Sequence, residues 1–167
     1  MGAGSGIWPD DACRKRLASE VPALMDSRLI PGLSLAFVNE GRISHRAAYG
    51  LADASSGRAV THDTVFEAGS LSKPVFAYAA LKCCEAGVLN LDTQLADYLK
   101  VPYLEDDPRH RTITARHVLS HTTGFPNWRR KKPLKTHFRP GERHSYSSEG
   151  YVYLQHVLSH LRPEPTA

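Results

Sequence analysis

Residues 66–92, FEAGSLSKPVFAYAALKCCEAGVLNLD, place a serine three positions before a lysine at the start of an apolar helical pattern. Positions i and i+3 share one face of a helix, so the Ser70 hydroxyl and the Lys73 amine are predicted to lie within hydrogen-bonding distance. The first turn of a helix carries N–H groups without helical partners, so Pro74 is tolerated there and a developing negative charge is favoured. The stretch predicts either an ordinary helix start or a serine whose proton a lysine can take.

The Ser-x-x-Lys spacing alone is weak evidence for chemistry. A chain with 14 serines and 7 lysines is expected to hold roughly 0.6 such pairs by chance. A nucleophilic serine needs an adjacent base, and a lysine supplies one only when desolvation or a nearby cation leaves its amine neutral. The ordinary alternative is Ser70 as a helix N-cap, with Lys73 in solvent. The segments that follow decide between the two.

The composition is typical of one globular domain. The 167 residues are 41% hydrophobic, 23% charged and 8% aromatic, which suffices for a core and does not suit a disordered chain. No apolar run reaches the roughly 18 residues that a transmembrane helix needs. The N-terminus lacks the basic region and apolar core of a secretory signal, so we expect a cytoplasmic protein if Met1 is the natural start.

Adjacent Cys83 and Cys84 suit buried thiols in a reducing compartment better than a disulfide.

Positive charge is concentrated between Arg109 and Arg143, which hold ten Lys or Arg and one acidic residue, Glu142. Trp128 and Phe138 flank the densest part of this basic run. Such a run could bind nucleic acid or anionic lipid with salt-dependent affinity. A solvated loop and a rim that attracts a carboxylate-bearing substrate are the alternatives. Because the run contains prolines and no helix suited to a DNA groove, we expect no nucleic-acid partner.

The N-terminal third of the chain predicts a helix followed by a β-hairpin. Amphipathic spacing indicates a helix over 9–29, with an Asp-Asp pair at 10–11 as cap and Pro31-Gly32 after its end. Alternating patterns indicate strands at 33–38 and 42–49. They are joined at Asn39-Glu40-Gly41, where Asn and Gly tolerate positive φ.

The rest of the chain predicts helices. They lie at 70–86, 91–99, 115–120 and 147–160. Two strands alone are marginal in water and need further strands or a covering helix, and no convincing strand pattern follows residue 51. We therefore predict an α+β fold whose antiparallel sheet begins with this hairpin and lacks its C-terminal strands. The predicted layout is a flexible lead-in at 1–8 and one partial domain at 9–167, with a helix and hairpin at 9–50, a mainly helical region at 51–160 and a tail at 161–167.

Four ordered blocks resemble one family of enzymes. They are GSLSKP (69–74), EAGVLNLDTQLADYL (85–99), HVLSHTTGFPNW (117–128) and FRPGERHSYSSEGYVYLQHVL (138–158). In order and spacing they resemble the serine β-lactamase and penicillin-binding-protein-like family, in its class C β-lactamase, D-alanyl-D-alanine carboxypeptidase and esterase branch. The resemblance runs from about Leu33 to His160 and implies a β-lactamase/transpeptidase-like fold.

The resemblance implies roles for four residues. Ser70 would be the acylated nucleophile, and Lys73 would accept or shuttle its proton. Tyr146 would be the second base and the proton donor to the leaving group, which requires a phenol pKa well below about 10; the alternative is a half-buried loop aromatic. Ser148 would contact substrate where many members have asparagine. Because serine is shorter and lacks an amide, esterase or peptidase-like chemistry is expected rather than lactamase activity.

The resemblance also implies a third motif, Lys-Thr-Gly or His-x-Gly, on a later strand that supplies one N–H group of the oxyanion hole. The chain ends at SHLRPEPTA (159–167) without it. We therefore expect a truncated serine hydrolase that acts on an ester or amide, such as a β-lactam, a D-Ala peptide or a small ester, through an acyl-serine. Its activity is expected to be impaired, since losing one oxyanion donor costs about 10²–10³ in rate. The alternative is a non-catalytic fragment or a binding module.

No cofactor and no metal are expected. His117 and His121, and separately His156 and His160, have the i,i+4 spacing of ligand pairs, but no third ligand follows in a zinc-site pattern. In the family that the chain resembles, the neighbourhood of His121 is structural. His144 and His137 are further candidates for residues beside the site. A small acyl compound is the expected partner.

Overall fold

The computed structural model describes residues 8–99, 103–104, 107–129 and 133–161. Most of the predicted lead-in and tail, residues 1–7 and 162–167, lies outside the described residues. The chain forms two units, residues 1–67 and 68–167. The first contains one helix and an antiparallel sheet, and the second is mainly helical.

Helix α1, Asp11–Arg28, opens the first unit and confirms the predicted helix. Asp10 is its N-cap, and its carboxylate accepts the N–H of Cys13 at 2.8 Å, which satisfies one donor of the first turn. The helix ends at Leu29, which has a positive φ of 54°, before Pro31 is reached. Met25 is its buried side chain, whereas Leu24 is 56% exposed.

Strands β1, Gly32–Asn39, and β2, Arg42–Asp53, form the predicted hairpin. Its connecting loop holds Glu40 and Gly41 at φ of 48° and 73°, so Glu40 rather than Asn39 adopts the left-handed conformation. Strand β3, Arg58–Ala59, extends the sheet in the order β1-β2-β3. This strand was not predicted, because two residues cannot show an alternating pattern.

Trp8, in the predicted lead-in, contacts this hairpin. Its ring meets that of Phe37 edge-on, with centroids 4.7 Å apart, and its carbonyl accepts the hydroxyl of Ser44 at 2.7 Å. Gly50, at φ 71°, lies where a Cβ would be 2.3 Å from the carbonyl oxygen of Pro31. Only glycine allows so close an approach of two backbone segments.

The described residues of the second unit form three α-helices: α2, Ser72–Glu85, α3, Ala115–Leu119, and α4, Ser148–His160. They confirm three of the four predicted helices with shifts of one or two residues at the ends. Three 3₁₀ turns, Gly69–Leu71, Leu95–Tyr98 and Pro108–Thr112, complete the described elements. Among the described residues, no helix is long and apolar enough to cross a membrane.

The predicted helix over 91–99 is wrong apart from the 3₁₀ turn at Leu95–Tyr98. The side chain of Asn90 accepts the N–H groups of Asp92 and Thr93 at 2.8 and 3.2 Å, which builds a local turn in place of helical bonds. Gln94 then forms an isolated antiparallel bridge with Thr114. These side-chain and long-range bonds outweigh the helical pattern of the segment.

The core of the second unit is built around α4. Its residues Tyr153, Leu154 and Val157 are 0% exposed and belong to one cluster with side chains from every other helix of the unit. The N-terminus of α4 is held by Ser147, whose hydroxyl accepts the N–H of Gly150 at 3.0 Å and donates to the carbonyl of Pro126 at 2.9 Å. Packing and capping thus fix the start of α4 and the loop that precedes it.

Candidate active site

Ser70 is the central residue of the 3₁₀ turn that precedes α2. The N-cap position of α2 is held by Leu71, and no side chain caps it. Ser70 is therefore not the N-cap of α2, the structural role that the sequence left open for it. Gly69 has a φ of 52°, a conformation that glycine adopts without steric cost, and it lets the chain turn sharply before the serine.

Two donors converge on the hydroxyl oxygen of Ser70. Nζ of Lys73 donates to Oγ at 3.3 Å, and the phenol of Tyr146 donates to the same oxygen at 2.8 Å. Lys73 lies one helical turn along the chain, whereas Tyr146 comes from the loop before α4. The structure brings together the three residues for which the sequence predicts catalytic roles.

The environment of Tyr146 makes loss of its phenol proton easier. The pKa of its phenol is lowered from the ordinary value, first by a hydrogen-bonding interaction with Lys73 and next by the one with Ser70. Nζ of Lys73 lies 5.1 Å from the centroid of the Tyr146 ring and 5.6 Å from that of Tyr151. An ammonium group beside a phenol stabilises the phenolate, which is the form that can take a proton from a serine.

His121 is a site residue that the sequence did not predict. Its ring stacks on Tyr146 with centroids 4.5 Å apart, and its Nδ1 accepts the N–H of Ser147 at 3.1 Å. This acceptor role requires a proton-free Nδ1. Burial lowers the pKa of His121, and coulombic interactions with His144 and Lys73 lower it further.

The sequence signal for His121 is its i,i+4 spacing from His117, which is also the spacing of a metal-ligand pair. The structure separates the two residues, because α3 ends at Leu119 and His121 has a φ of 56°. His117 instead completes a capping box with Thr114 at the start of α3. Among the described residues, no group of three or more His, Cys, Asp or Glu side chains could hold a metal ion.

The candidate residues open onto a cavity of about 390 Å³, which we call the serine cleft. Its lining includes Ser70, Lys73, His121, Tyr146 and Tyr151. A cleft of this size suits a small organic substrate. The Ser70 hydroxyl is therefore bordered by both proton-transfer candidates and by open space for an acyl compound.

Ser148 occupies the first position of α4 and is only 3% exposed. Its N–H donates to Oδ1 of Asn127 at 3.2 Å. A hydrogen-bonding interaction of its side chain makes a small contribution to lowering the pKa of Tyr146. The direct substrate contact expected for Ser148 stays a prediction.

The two further histidine candidates differ in their surroundings. The ring of His144 lies 5.8 Å from that of His121 in an edge-to-face arrangement, so it neighbours the site through one intervening residue. His137 is exposed, and its N–H donates to the carbonyl of Gly124 at 2.8 Å. No described contact joins His137 to Ser70, Lys73 or Tyr146.

Several cations of the basic run pair with carboxylates of the same unit. Arg109 contacts Asp107 at 2.9 Å, and Arg129 contacts Glu149 at 3.1 Å. Both carboxylate side chains are 7% exposed, so these cations balance buried negative charge. Residues 130–132, the centre of the basic run, lie outside the described residues.

Comparisons with known proteins show which family the chain resembles. The family model described as Beta-lactamase matches residues 17–165. Penicillin-binding protein 4 of Amycolatopsis lactamdurans is 38% identical over 103 residues, which are 62% of this chain and 27% of that protein. Esterase EstB of Burkholderia gladioli is 35% identical over 108 residues, which are 64% of this chain and 27% of that protein. The solved structure of D-alanine carboxypeptidase AmpC from Burkholderia cenocepacia aligns with a TM-score of 0.75 and 27% identity, over 90% of this chain and 44% of that one.

The relatives named penicillin-binding protein, esterase and carboxypeptidase define a class of serine hydrolase-like proteins. Because the family model covers most of its length, the chain belongs to the beta-lactamase family, and its fold is β-lactamase/transpeptidase-like. The chain spans about a quarter of the length of these two curated relatives and less than half of that solved structure.

Proposed function

We propose that the chain carries the nucleophile of a serine hydrolase that cleaves an ester or amide through an acyl-serine at Ser70. The observation that carries this proposal is the convergence of Lys73 and Tyr146 on the Ser70 oxygen, at 3.3 and 2.8 Å. A serine hydroxyl becomes a nucleophile when an adjacent group removes its proton. Both groups stand within reach of that proton.

The proposed reaction begins with Tyr146 as the phenolate, stabilised by Lys73. The Ser70 proton moves to the phenolate oxygen while Oγ forms a bond to the substrate carbonyl carbon. The bond to the leaving group then breaks, and the leaving alkoxide or amine takes the proton from Tyr146. In deacylation, water gives a proton to Tyr146 and its oxygen forms a bond to the acyl carbon. The bond to Oγ of Ser70 then breaks, Oγ takes the proton back from Tyr146, and the acid is released. No oxidant, metal or organic cofactor enters these steps.

Esters are the substrate class that we favour. The position after Tyr146-Ser147 holds Ser148, whose hydroxyl lies in a side chain that is 3% exposed and has no amide group to offer to a substrate amide. An ester also has the better leaving group and needs less help from a proton donor. The similarity to Esterase EstB supports the same choice. A β-lactam or a D-Ala peptide is the alternative within the same acyl-serine chemistry.

The test is covalent labelling followed by intact-protein mass. The full chain is treated with a fluorophosphonate and, separately, with a penicillin. We expect an adduct on the wild type and none on Ser70→Ala. Ser72→Ala is the matched control, because Ser72 is two positions away and outside the bonds that Lys73 and Tyr146 make. Absence of an adduct on the wild type, or an equal adduct on Ser70→Ala, rejects the proposal.

The second candidate, a binding module without turnover, gives a different result in the same experiment. It predicts saturable binding of an acyl compound with no covalent mass increase at any pH. The proton-transfer geometry at Ser70 favours the hydrolase, since binding alone does not require a base beside the hydroxyl. The predicted impairment of activity is tested by the rate of deacylation, measured as recovery of the unlabelled mass.

A further inference from the structure

His121 contacts each of the three consecutive residues 145–147. Its backbone carbonyl accepts the N–H of Ser145 at 2.8 Å, and its Nδ1 accepts the N–H of Ser147 at 3.1 Å. Its ring stacks on that of Tyr146, with ring centroids 4.5 Å apart and planes 29° from parallel. One residue therefore holds the backbone on both sides of Tyr146 and also contacts its ring.

The backbone of His121 has a conformation that costs free energy. Its φ is 56°, in the left-handed region that few residues other than glycine adopt. Such conformations persist where surrounding contacts determine them, and they cluster at functional sites. The N–H of His121 donates to the carbonyl of Val118 at 3.0 Å, so the turn begins directly from α3. The turn brings the carbonyl and the ring of His121 to residues 145–147.

The loop that carries Tyr146 is anchored from two sides. On the side of α4, the hydroxyl of Ser147 caps the helix. On the side of α3, His121 is the one acceptor that the described part of the chain provides for the N–H groups of Ser145 and Ser147. Proton transfer requires heavy atoms within about 2.6–3.2 Å of each other. The 2.8 Å between the phenol of Tyr146 and Oγ of Ser70 therefore tolerates little displacement of this loop.

The contact with Ser147 requires the neutral form of His121. A backbone N–H can only donate, so Nδ1 is free of a proton and the ring carries its proton on Nε2. Protonation of Nδ1 would place two donors opposite each other. The ionisable groups that face the ring, in the part of the chain that the structure describes, belong to Lys73, His144, Tyr146 and Tyr151. None of them is a carboxylate that would stabilise the imidazolium, and the pKa of His121 is lowered, so its ring is neutral at pH 7.

We propose that neutral His121 is a positioning residue for the reaction, which holds the phenol of Tyr146 against Lys73 and Oγ of Ser70. It acts through the loop backbone and the Tyr146 ring. His121 lines the serine cleft, but no described hydrogen bond joins its ring to Ser70 or Lys73. This inference rests on the proposed function, because it assigns His121 a task within that reaction.

The first test measures the pKa of Tyr146 directly and needs no turnover. The full chain carries isotope-labelled tyrosine, and its NMR signals are followed against pH. The signal of Tyr146 is the one that Tyr146→Phe lacks. Hydrogen-bonding interactions with Lys73 and Ser70 lower this pKa, so a displaced phenol should titrate closer to the ordinary value of about 10. We expect the pKa of Tyr146 to rise in His121→Leu, which removes both the ring nitrogen and the stacked ring.

The second test separates the ring nitrogen from the ring face. His121→Asn keeps an acceptor at the place of Nδ1, and asparagine tolerates a positive φ. His121→Phe keeps the aromatic face and loses the acceptor. Each is expected to slow fluorophosphonate labelling of Ser70 by about tenfold, and His121→Leu by about 10², the loss that a misplacement of about 1 Å can cause. His121→Asn should therefore recover about tenfold of the loss in His121→Leu.

His117→Ala is the matched control for stability. It removes the capping box of α3, four positions before His121, and His117 has no described hydrogen bond or ring contact with residues 145–147. We expect a lower urea midpoint of unfolding, with the pKa of Tyr146 and the labelling rate of the folded protein unchanged. A merely structural role for His121 would give this same pattern in the His121 variants.

The outcomes distinguish this inference from the proposed function. An unchanged pKa of Tyr146 in the His121 variants, with normal labelling of Ser70, overturns the positioning role and leaves the hydrolase standing. A wild type without any adduct rejects the hydrolase, whereas a raised pKa of Tyr146 in the variants would still support the positioning of its phenol. If circular dichroism shows that His121→Leu is unfolded, His121→Asn and His121→Phe decide: wild-type values of the pKa and of the labelling rate in both overturn the inference.

Discussion

The phenol of Tyr146 donates to Oγ of Ser70 at 2.8 Å, although 76 positions separate the two residues in the chain. Ser70 is held by the 3₁₀ turn before α2, and Tyr146 by the capped start of α4. The bond therefore depends on the packing of α2 and α4, in which Phe76 contacts Tyr151. A change that loosens this packing is expected to reduce acylation even when the three reacting side chains are intact.

Replacing Tyr146 with Phe is expected to slow acylation of Ser70 by about 10²–10⁴, the usual contribution of a positioned base. The fold should persist, because Tyr146 is 40% exposed. The measurement is the rate of fluorophosphonate labelling by mass spectrometry, with circular dichroism as the check on folding. Tyr151→Phe is the control, since burial raises the pKa of Tyr151 and keeps its phenol protonated. Equal rates for wild type and Tyr146→Phe would show that the phenol does not act as the base.

The pH dependence of acylation is expected to follow ionisation of Tyr146. Its pKa is lowered, first by Lys73, so the rate should rise with pH and reach half its maximum below pH 10, the ordinary value for tyrosine. Lys73→Met removes the main cause of the lowering, and the midpoint should move to higher pH. The profile is measured with a p-nitrophenyl ester under single-turnover conditions. A midpoint that does not move in Lys73→Met contradicts the proposed coupling.

The sequence was sufficient for the elements that local chemistry determines. The capping residue Asp10 and the regular apolar spacing predicted α1, and the loop with Gly41 predicted the hairpin. The i,i+3 geometry placed Lys73 beside Ser70, as the structure has it. The position of Tyr146 followed from the order of the blocks that resemble the family, because no local pattern could relate it to a residue 76 positions away.

The features that the sequence did not predict depend on contacts between distant segments. His121 reaches Tyr146 only because α3 ends two residues earlier and the chain turns at a positive φ. The segment 91–99 has a helical pattern, yet Asn90 and the bridge of Gln94 with Thr114 hold it in turns.

Acidification is expected to destabilise the second unit through His121. Its pKa is lowered in the folded protein, mainly by burial, so the unfolded chain binds the proton more readily than the folded one. The stabilising contribution is present above the ordinary value of about 6.5 and is lost as pH falls through the lower folded value. Urea unfolding of a Trp8→Phe chain, followed by Trp128 fluorescence, should therefore show a midpoint that decreases below pH 6.5.

The control for this pH effect is a pair of histidine variants. In His121→Gln, the urea midpoint should decrease less below pH 6.5 than in the parent. In His62→Asn it should decrease as much as in the parent, because His62 is exposed in the first unit. His117 contributes in the same direction, since burial lowers its pKa too, so His121→Gln is not expected to remove the whole effect. A steeper decrease in His121→Gln than in the parent would refute the assignment.

Ser147→Ala is expected to destabilise the second unit by about 1–2 kcal/mol, the usual cost of removing a helix N-cap. Ser147 is 1% exposed, and its hydroxyl makes two hydrogen bonds, accepting from the N–H of Gly150 at 3.0 Å and donating to the carbonyl of Pro126 at 2.9 Å. Because this cap positions the loop that carries Tyr146, acylation should slow as well. Ser159→Ala, at an exposed position on the same helix, is the control and should change the free energy of unfolding by less than about 0.5 kcal/mol. If both variants unfold at the same urea concentration as the parent, the cap does not anchor the start of α4, and the placement of Tyr146 must come from its contact with His121.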